Sequence, residues 1–322
     1  MPTRFDPARD KYVLIIGHGR SGTNLALDLL DCHPATFCRN EPNEIPGSAM
    51  SALAGDLVRA DVGDRFLDDW REAAALSSVR RGSRDRFHRT YKQYYSTKLH
   101  AILAEKLQGR GRLRKYLGIR GGEWQAAGLS GDRVPVFKIL LRPHWATETH
   151  AHDANQYVIH VVRDPVGFVL SWWNRYILHD AVGGPRDVYN DNLQSVSEIL
   201  DCYKARLASG NGYSVEALIE TELWPWRYMN EWPLKRLSGS DRYLIWRYSE
   251  LKANAGQLAL TAFDWVGVVP DAGTRQRIST MRNTLFSRSH SASLDRELIA
   301  KLARHVLTGS EPALRTVAGV PD

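Results

Sequence analysis

Cysteine is scarce in this chain. Its 322 residues include three, Cys32, Cys38 and Cys202, with no C-x-x-C pair among them. An odd count without paired spacing argues against a disulfide framework and against a structural zinc site. Long apolar runs are missing as well. No stretch reaches the roughly 18 consecutive apolar residues of a membrane span. The opening "MPTRFDPARDKYVLIIG" lacks the apolar h-region of a secretory signal. Internal repeats and low-complexity tracts are also absent. These absences lead us to expect a soluble, cytoplasmic protein.

The chain is 43% hydrophobic and 25% charged, within the usual range for globular proteins. Its length suits one large α/β domain spanning 1–322. The formal charge of +7 is unevenly spread. From Val79 to Arg120, thirteen Lys and Arg face only Asp85 and Glu105, a local net of +11. Such a segment suits a phosphate-bearing or acidic partner, and it equally suits a solvated basic surface.

Tyr12–Ile16 is a short apolar, β-branched run ending in glycine, which predicts a buried strand. A helix is predicted from Thr23 to Asp31, with leucines at helical spacing and Pro34 just past its end. Further strands are predicted at 35–40, 134–140, 157–162 and 242–248. Asp164-Pro165 reads as the N-cap and first position of a helix over 166–178. Helices are also expected at 192–209, 214–223, 250–265 and 294–306. Residues 45–130 are polar and Arg-rich, and they read as a helical insertion or cap. Strands alternating with helices predict an α/β, three-layer, P-loop-like fold with a mostly parallel sheet.

The loop after the first strand, Gly17-His18-Gly19-Arg20-Ser21-Gly22, fits G-x-G-x-x-G. Three chemistries place a glycine loop between a strand and a helix, where backbone N–H groups meet an anion. A dinucleotide-binding Rossmann loop needs an acid about 20 residues on. Glu41, 19 residues after Gly22, meets that requirement, and it would bind a ribose of NAD(P). A nucleoside-triphosphate P-loop needs Lys-Ser/Thr after its last glycine, and Thr23-Asn24 stands there instead. The third chemistry is sulfuryl transfer, in which a cation in the loop neutralises charge on the moving group.

A second constellation favours the third. In "VIHVVRDPVGFVLSWW", Arg163 stands at a strand end and Ser171 follows eight residues later. A guanidinium and a hydroxyl at that separation suit a doubly charged phosphate. Arg20-Ser21-Gly22-Thr23 together with Arg163 and Ser171 resembles the PAPS-dependent sulfotransferase family (PAPS being 3′-phosphoadenosine-5′-phosphosulfate). The spacing is closest to its tyrosylprotein-type and bacterial members. His33-Pro34 followed by Glu41, and Lys138 standing 25 residues before Arg163, are similar to that pattern too. The resemblance covers residues 13–46, 134–173 and 243–265, and Thr23-Asn24 departs from the family's Thr-Thr.

The resemblance implies a sulfotransferase with PAPS as donor, PAP as product and no metal. It assigns catalysis to Glu41 as general base with Arg20 and Lys138 as charge stabilisers. It assigns donor binding to Gly19, Arg20, Ser21, Gly22, Thr23 and Asn24, to Arg163 and Ser171, and to Tyr248 and Ser287, with Arg288 as an alternative to Ser287. His18 is a competing base. The acceptor is expected to carry a hydroxyl on a carbohydrate, glycolipid or small metabolite, and the basic segment suits an anionic one. Nucleic-acid binding is a separate reading of the same segment, but no recognised module accompanies it.

Two weaker features complete the reading. "THAHD" (149–153) offers His150, His152 and Asp153 as metal ligands or as a polar loop. Trp172, Trp173, Tyr176, Trp224, Trp226, Tyr228 and Trp232 suit either a core or stacking on a base or sugar.

Overall fold

The computed structural model describes residues 10–40, 134–140, 143–174, 215–285 and 294–320. Five strands form one sheet: β1 (Tyr12–Ile16), β2 (Thr36–Asn40), β3 (Val134–Lys138), β4 (Gln156–Val162) and β5 (Tyr243–Arg247). Their order is β2-β3-β1-β4-β5, and every pairing is parallel. β1 is wholly buried, as its unbroken apolar run predicts.

The period of two along each strand divides the core. Tyr12, Leu14, Ile16, Phe137 and Val158 join one apolar cluster. Val13, Ile15, Val136, Ile159 and Val161 join the other. Helices α2 (Pro143–His152), α3 (Pro165–Trp172), α4 (Val215–Leu237), α7 (Arg296–Leu307) and α8 (Pro312–Ala318) supply residues to the first cluster. Helices α1 (Thr23–Leu30), α5 (Tyr248–Val266) and α6 (Ala272–Leu285) supply the second. Three layers result. The β1–α1–β2 connection runs one way along the sheet, while β3–α2–β4 runs the other way on the opposite face. A single crossover hand requires that arrangement.

The structure departs from the sequence expectations in places. The helix expected at 214–223 runs on to Leu237 through Pro225 and Pro233. Each proline costs about 3 kcal/mol in a helix interior. Burial of Leu223, Trp226, Tyr228 and Leu234 outweighs that local cost. Helices α2, α6 and α8 were not expected. His150 and His152 lie on α2, not in a loop. The expected helix at 192–209, the 45–130 insertion with its basic 79–120 segment, and Glu41, Tyr176, Cys202, Ser287 and Arg288 lie outside the described residues. Among the described residues no helix is long and apolar enough to cross a membrane.

Candidate functional site

The sequence motifs converge at the carboxyl edge of the sheet. There β1 feeds a connection in one direction and β4 feeds one in the other, so a topological switch point lies between their ends. Open α/β sheets bind ligands at such a switch point.

The loop after β1 is shaped by two glycines. Gly17 has φ 143°, and a Cβ there would lie 2.4 Å from the Val161 carbonyl oxygen on β4. Gly22 caps α1 in the left-handed region, with φ 100°. The α1 N-terminus has no side-chain cap and no acid in its first turn. Its leading N–H groups and the helix dipole therefore favour an anion. Between the glycines, Arg20 takes φ 72°, uncommon for a residue with a side chain. Two contacts hold it there. The Arg163 Nη1 donates to the Arg20 carbonyl oxygen at 3.0 Å, and the Arg20 Nε donates to Ser171 Oγ at 3.2 Å.

Those two bonds join the motifs that sequence spacing had only suggested. Arg163 follows β4 directly. Asp164 beside it caps α3, accepting from the Gly167 N–H at 2.6 Å, with Pro165 in the first turn. Ser171, two turns into α3, is buried. The Arg163 guanidinium lies over the Tyr248 ring, 4.2 Å from its centroid. Burial lowers the Arg163 pKa from its ordinary value. Arg20 pushes the same way, while Tyr248 and Asp164 oppose the shift. Two guanidinium groups thus stand within electrostatic reach of each other, an arrangement that an anion between them would relieve.

Lys138 ends β3 in register with Ile15 of β1. It is only 2% exposed, and its Nζ donates to Asn24 Oδ1 at 2.6 Å. A buried ammonium is costly unless paired. Thr23 is buried at the first position of α1, and Asn24 beside it is exposed. Gly19 has room for a side chain, with Leu140 Cδ1 in ordinary contact 4.0 Å from where a Cβ would sit.

A phosphate group fits this cradle. Ser21 Oγ and Arg163 Nε are buried there without a hydrogen-bond partner among the described residues. Polar atoms left in that state call for an explanation, and a bound anion is one that both could donate to.

His18, the competing base of the loop, is buried. It is 2% exposed, and its ring meets Phe168 edge-on at 4.6 Å. Burial lowers its pKa to about 4, against a smaller opposing effect of its hydrogen bond to Gly19. His150 Nε2 pairs with Ser240 Oγ at 2.8 Å. The Asp153 carboxylate accepts from the Tyr12 hydroxyl at the other end of β1. No cluster of three metal-ligating side chains exists among the described residues. Trp172, Trp173, Trp224, Trp226 and Tyr228 belong to the core, with Trp232 packed against it.

Sequence reasoning missed Gly167 and Phe168, which shape the surroundings of Arg163 and His18. Their signal was present in "RDPVGF", where a glycine sits inside a helix next to an arginine that needs room. Strand order also separates this loop from the Rossmann reading. In that fold β2 lies next to β1, whereas here β3 lies between them.

Solved structures similar to this chain include sulfotransferases. A sulfotransferase from Alicyclobacillus acidocaldarius matches with TM-score 0.46 and 15% identity over 97% of both chains. The sulfotransferase STF9 from Mycobacterium avium matches with TM-score 0.44 and 14% identity, over 94% of this chain and 77% of that one. Mouse sulfotransferase SULT7A1, solved with PAP, matches with TM-score 0.42 and 13% identity, over 98% and 91% respectively. No protein-family model and no curated protein matches the chain.

Proposed function

We propose that this chain is a PAPS-dependent sulfotransferase that acts on a hydroxyl of a carbohydrate, glycolipid or small metabolite. One observation carries the reading. Two hydrogen bonds tie the loop after β1 to the Arg163–Ser171 pair, one through the Arg20 carbonyl and one through the Arg20 guanidinium. A ligand with phosphates at both ends of one nucleoside matches two adjoining anion cradles, and a singly phosphorylated one leaves the second unused.

The proposed roles combine the family resemblance with the geometry of the described residues. Backbone N–H groups over 20–24, with Thr23 and Asn24, hold the 5′-phosphate. Arg163 and Ser171 hold the 3′-phosphate, with Tyr248 beside them and Ser287 as a further contact. Arg20 and Lys138 stabilise negative charge on the transferred group and on the leaving oxygen. Fixed cations at that place replace a metal ion. Bound PAPS supplies the sulfuryl group and its phosphate leaving group. Glu41 takes the proton of the acceptor hydroxyl as its oxygen bonds to sulfur. It directly follows Asn40, whose backbone pairs with Lys138. His18, buried and weakly basic, suits the role less well than Glu41. The basic 79–120 segment, in the 45–130 insertion of the single 1–322 domain, suits an anionic acceptor by its charge. Changing its arginines to serine is expected to raise the acceptor KM.

A thermal-shift comparison of PAP, NAD⁺ and ATP–Mg²⁺ tests the reading. At 100 times its Kd, a ligand specific to the folded state adds about 2.7 kcal/mol. Stabilisation by PAP alone is expected. Stabilisation by NAD⁺ without PAP would overturn the reading in favour of a dinucleotide enzyme.

A further inference from the structure

We infer that Tyr248 is a positioning residue for the Arg163 cradle, its ring rather than its hydroxyl holding the guanidinium in the orientation in which it meets a phosphate. The inference rests on the functional reading above.

The fold itself brings the two residues together. β4 and β5 pair in parallel with Val162 opposite Arg247. The next residue on each chain, Arg163 and Tyr248, therefore leaves the sheet side by side, at the strand spacing of about 4.8 Å. The guanidinium carbon sits 4.2 Å from the ring centroid, well within the roughly 6 Å limit of a cation–π contact.

The ring is itself held in place. On the loop side it meets Gly22, where a Cβ would lie 2.7 Å from Tyr248 Cδ2 and 3.1 Å from Cε2. The ring is thus wedged between the loop that begins α1 and the guanidinium that ends β4. The edges of the guanidinium are also fixed. Nη1 donates to the Arg20 carbonyl. Nε is buried beside Gly167, where a Cβ would come within 2.9 Å of it. Ring face, carbonyl and bare glycine backbone together leave Arg163 little rotamer freedom. A guanidinium ordered in advance binds a phosphate without losing side-chain entropy on binding. Tyr248 also touches the 5′-phosphate loop through Gly22, so one side chain sets the position of the 3′ cradle relative to the 5′ cradle.

The test compares the wild type with Tyr248→Phe and Tyr248→Leu. Each is titrated calorimetrically with PAP and with adenosine 5′-phosphate, which lacks the 3′-phosphate. Tyr248→Phe is expected to keep the wild-type preference for PAP. Tyr248→Leu is expected to weaken PAP about tenfold, in keeping with a partly desolvated cation–π contact, and to move adenosine 5′-phosphate less than twofold. An equal loss in Phe and Leu would make the hydroxyl the contact and overturn the inference. So would an equal loss of both nucleotides in Leu, which marks general packing. A second readout needs no ligand. The Arg163 Nε–H resonance in free protein should be ring-current shifted in the wild type and Tyr248→Phe, and should return towards its ordinary position in Tyr248→Leu. An unchanged resonance in Leu would overturn the inference. Wild type that binds neither nucleotide would overturn the functional reading, and this inference with it.

Discussion

Alanine substitution across Gly17, Gly19 and Gly22 should give three different costs, although the three positions are equivalent in the G-x-G-x-x-G pattern. At Gly17 the new Cβ would stand 2.4 Å from the Val161 carbonyl oxygen. That oxygen belongs to β4, which is paired on both sides and cannot yield. The positive φ adds about 1–3 kcal/mol for an L residue, and overpacking adds another 1–3 kcal/mol or so. Gly17→Ala should therefore destabilise by roughly 4 kcal/mol. At Gly22 the φ of 100° carries the same backbone cost, but the obstacle is the edge of the Tyr248 ring, a side chain. Roughly 2–3 kcal/mol is expected there, with loss of PAP affinity as the ring is displaced. At Gly19 the nearest atom would be Leu140 Cδ1 at 4.0 Å, and φ is not positive. Gly19→Ala should stay within about 0.5 kcal/mol, or stabilise slightly by restricting the unfolded chain. Urea unfolding without ligand, with the slope checked for constancy, measures all three. Equal costs at 17 and 19, or a Gly17→Ala protein within about 1 kcal/mol of wild type, would refute the reasoning.

Three other predictions follow from the same geometry. Ser171→Ala should weaken PAP by about tenfold or more, the usual worth of a hydrogen bond to a charged group; isothermal calorimetry measures it, and unchanged affinity would remove Ser171 from the cradle. Glu41→Gln should lower kcat by about 10²–10⁴-fold with little change in PAP affinity, whereas His18→Ala should act mainly on stability; turnover abolished only by the histidine change would transfer the proton to His18. Acid should destabilise the fold, because burial lowers the pKa of His18, His150 and His160 to about 4. The unfolded chain takes up protons at these residues as pH falls below about 6.5, while the folded chain resists until about 4, so stability is lost on going down through that window. His160→Gln, at a site enclosed by Asn230 and Tyr243, should flatten the slope by up to about 1.4 kcal/mol per pH unit. Denaturant melts at pH 7, 6 and 5 report the difference, and an unaltered slope would place the proton uptake elsewhere.

Much of the site was legible before any coordinates because its signals are local. An apolar β-branched run, a glycine loop and a leucine stripe define β1, the loop and α1. Asp164-Pro165 defines the start of α3, and the cap bond to Gly167 is the one that pattern calls for. Where local preference and packing disagreed, the sequence misled. The helix expected at 214–223 is carried by burial on to Leu237, through Pro225 and Pro233. Helices α2, α6 and α8 carry apolar stripes too weak to stand out, yet each packs residues into a core cluster.

Residue order along the chain determined which groups stand at strand ends: Arg163 after β4, Lys138 on β3, the loop after β1 and Tyr248 after β5. Only the tertiary structure decided who neighbours whom. Inserting β3 between β1 and β2 separates this loop from a dinucleotide site. Parallel register of β4 and β5 sets Tyr248 against Arg163, and the turn at Arg20 brings its carbonyl to Arg163 and its guanidinium to Ser171. Strand order and side-chain convergence arise from contacts between residues 85 to 151 positions apart, which no local pattern of residue types encodes.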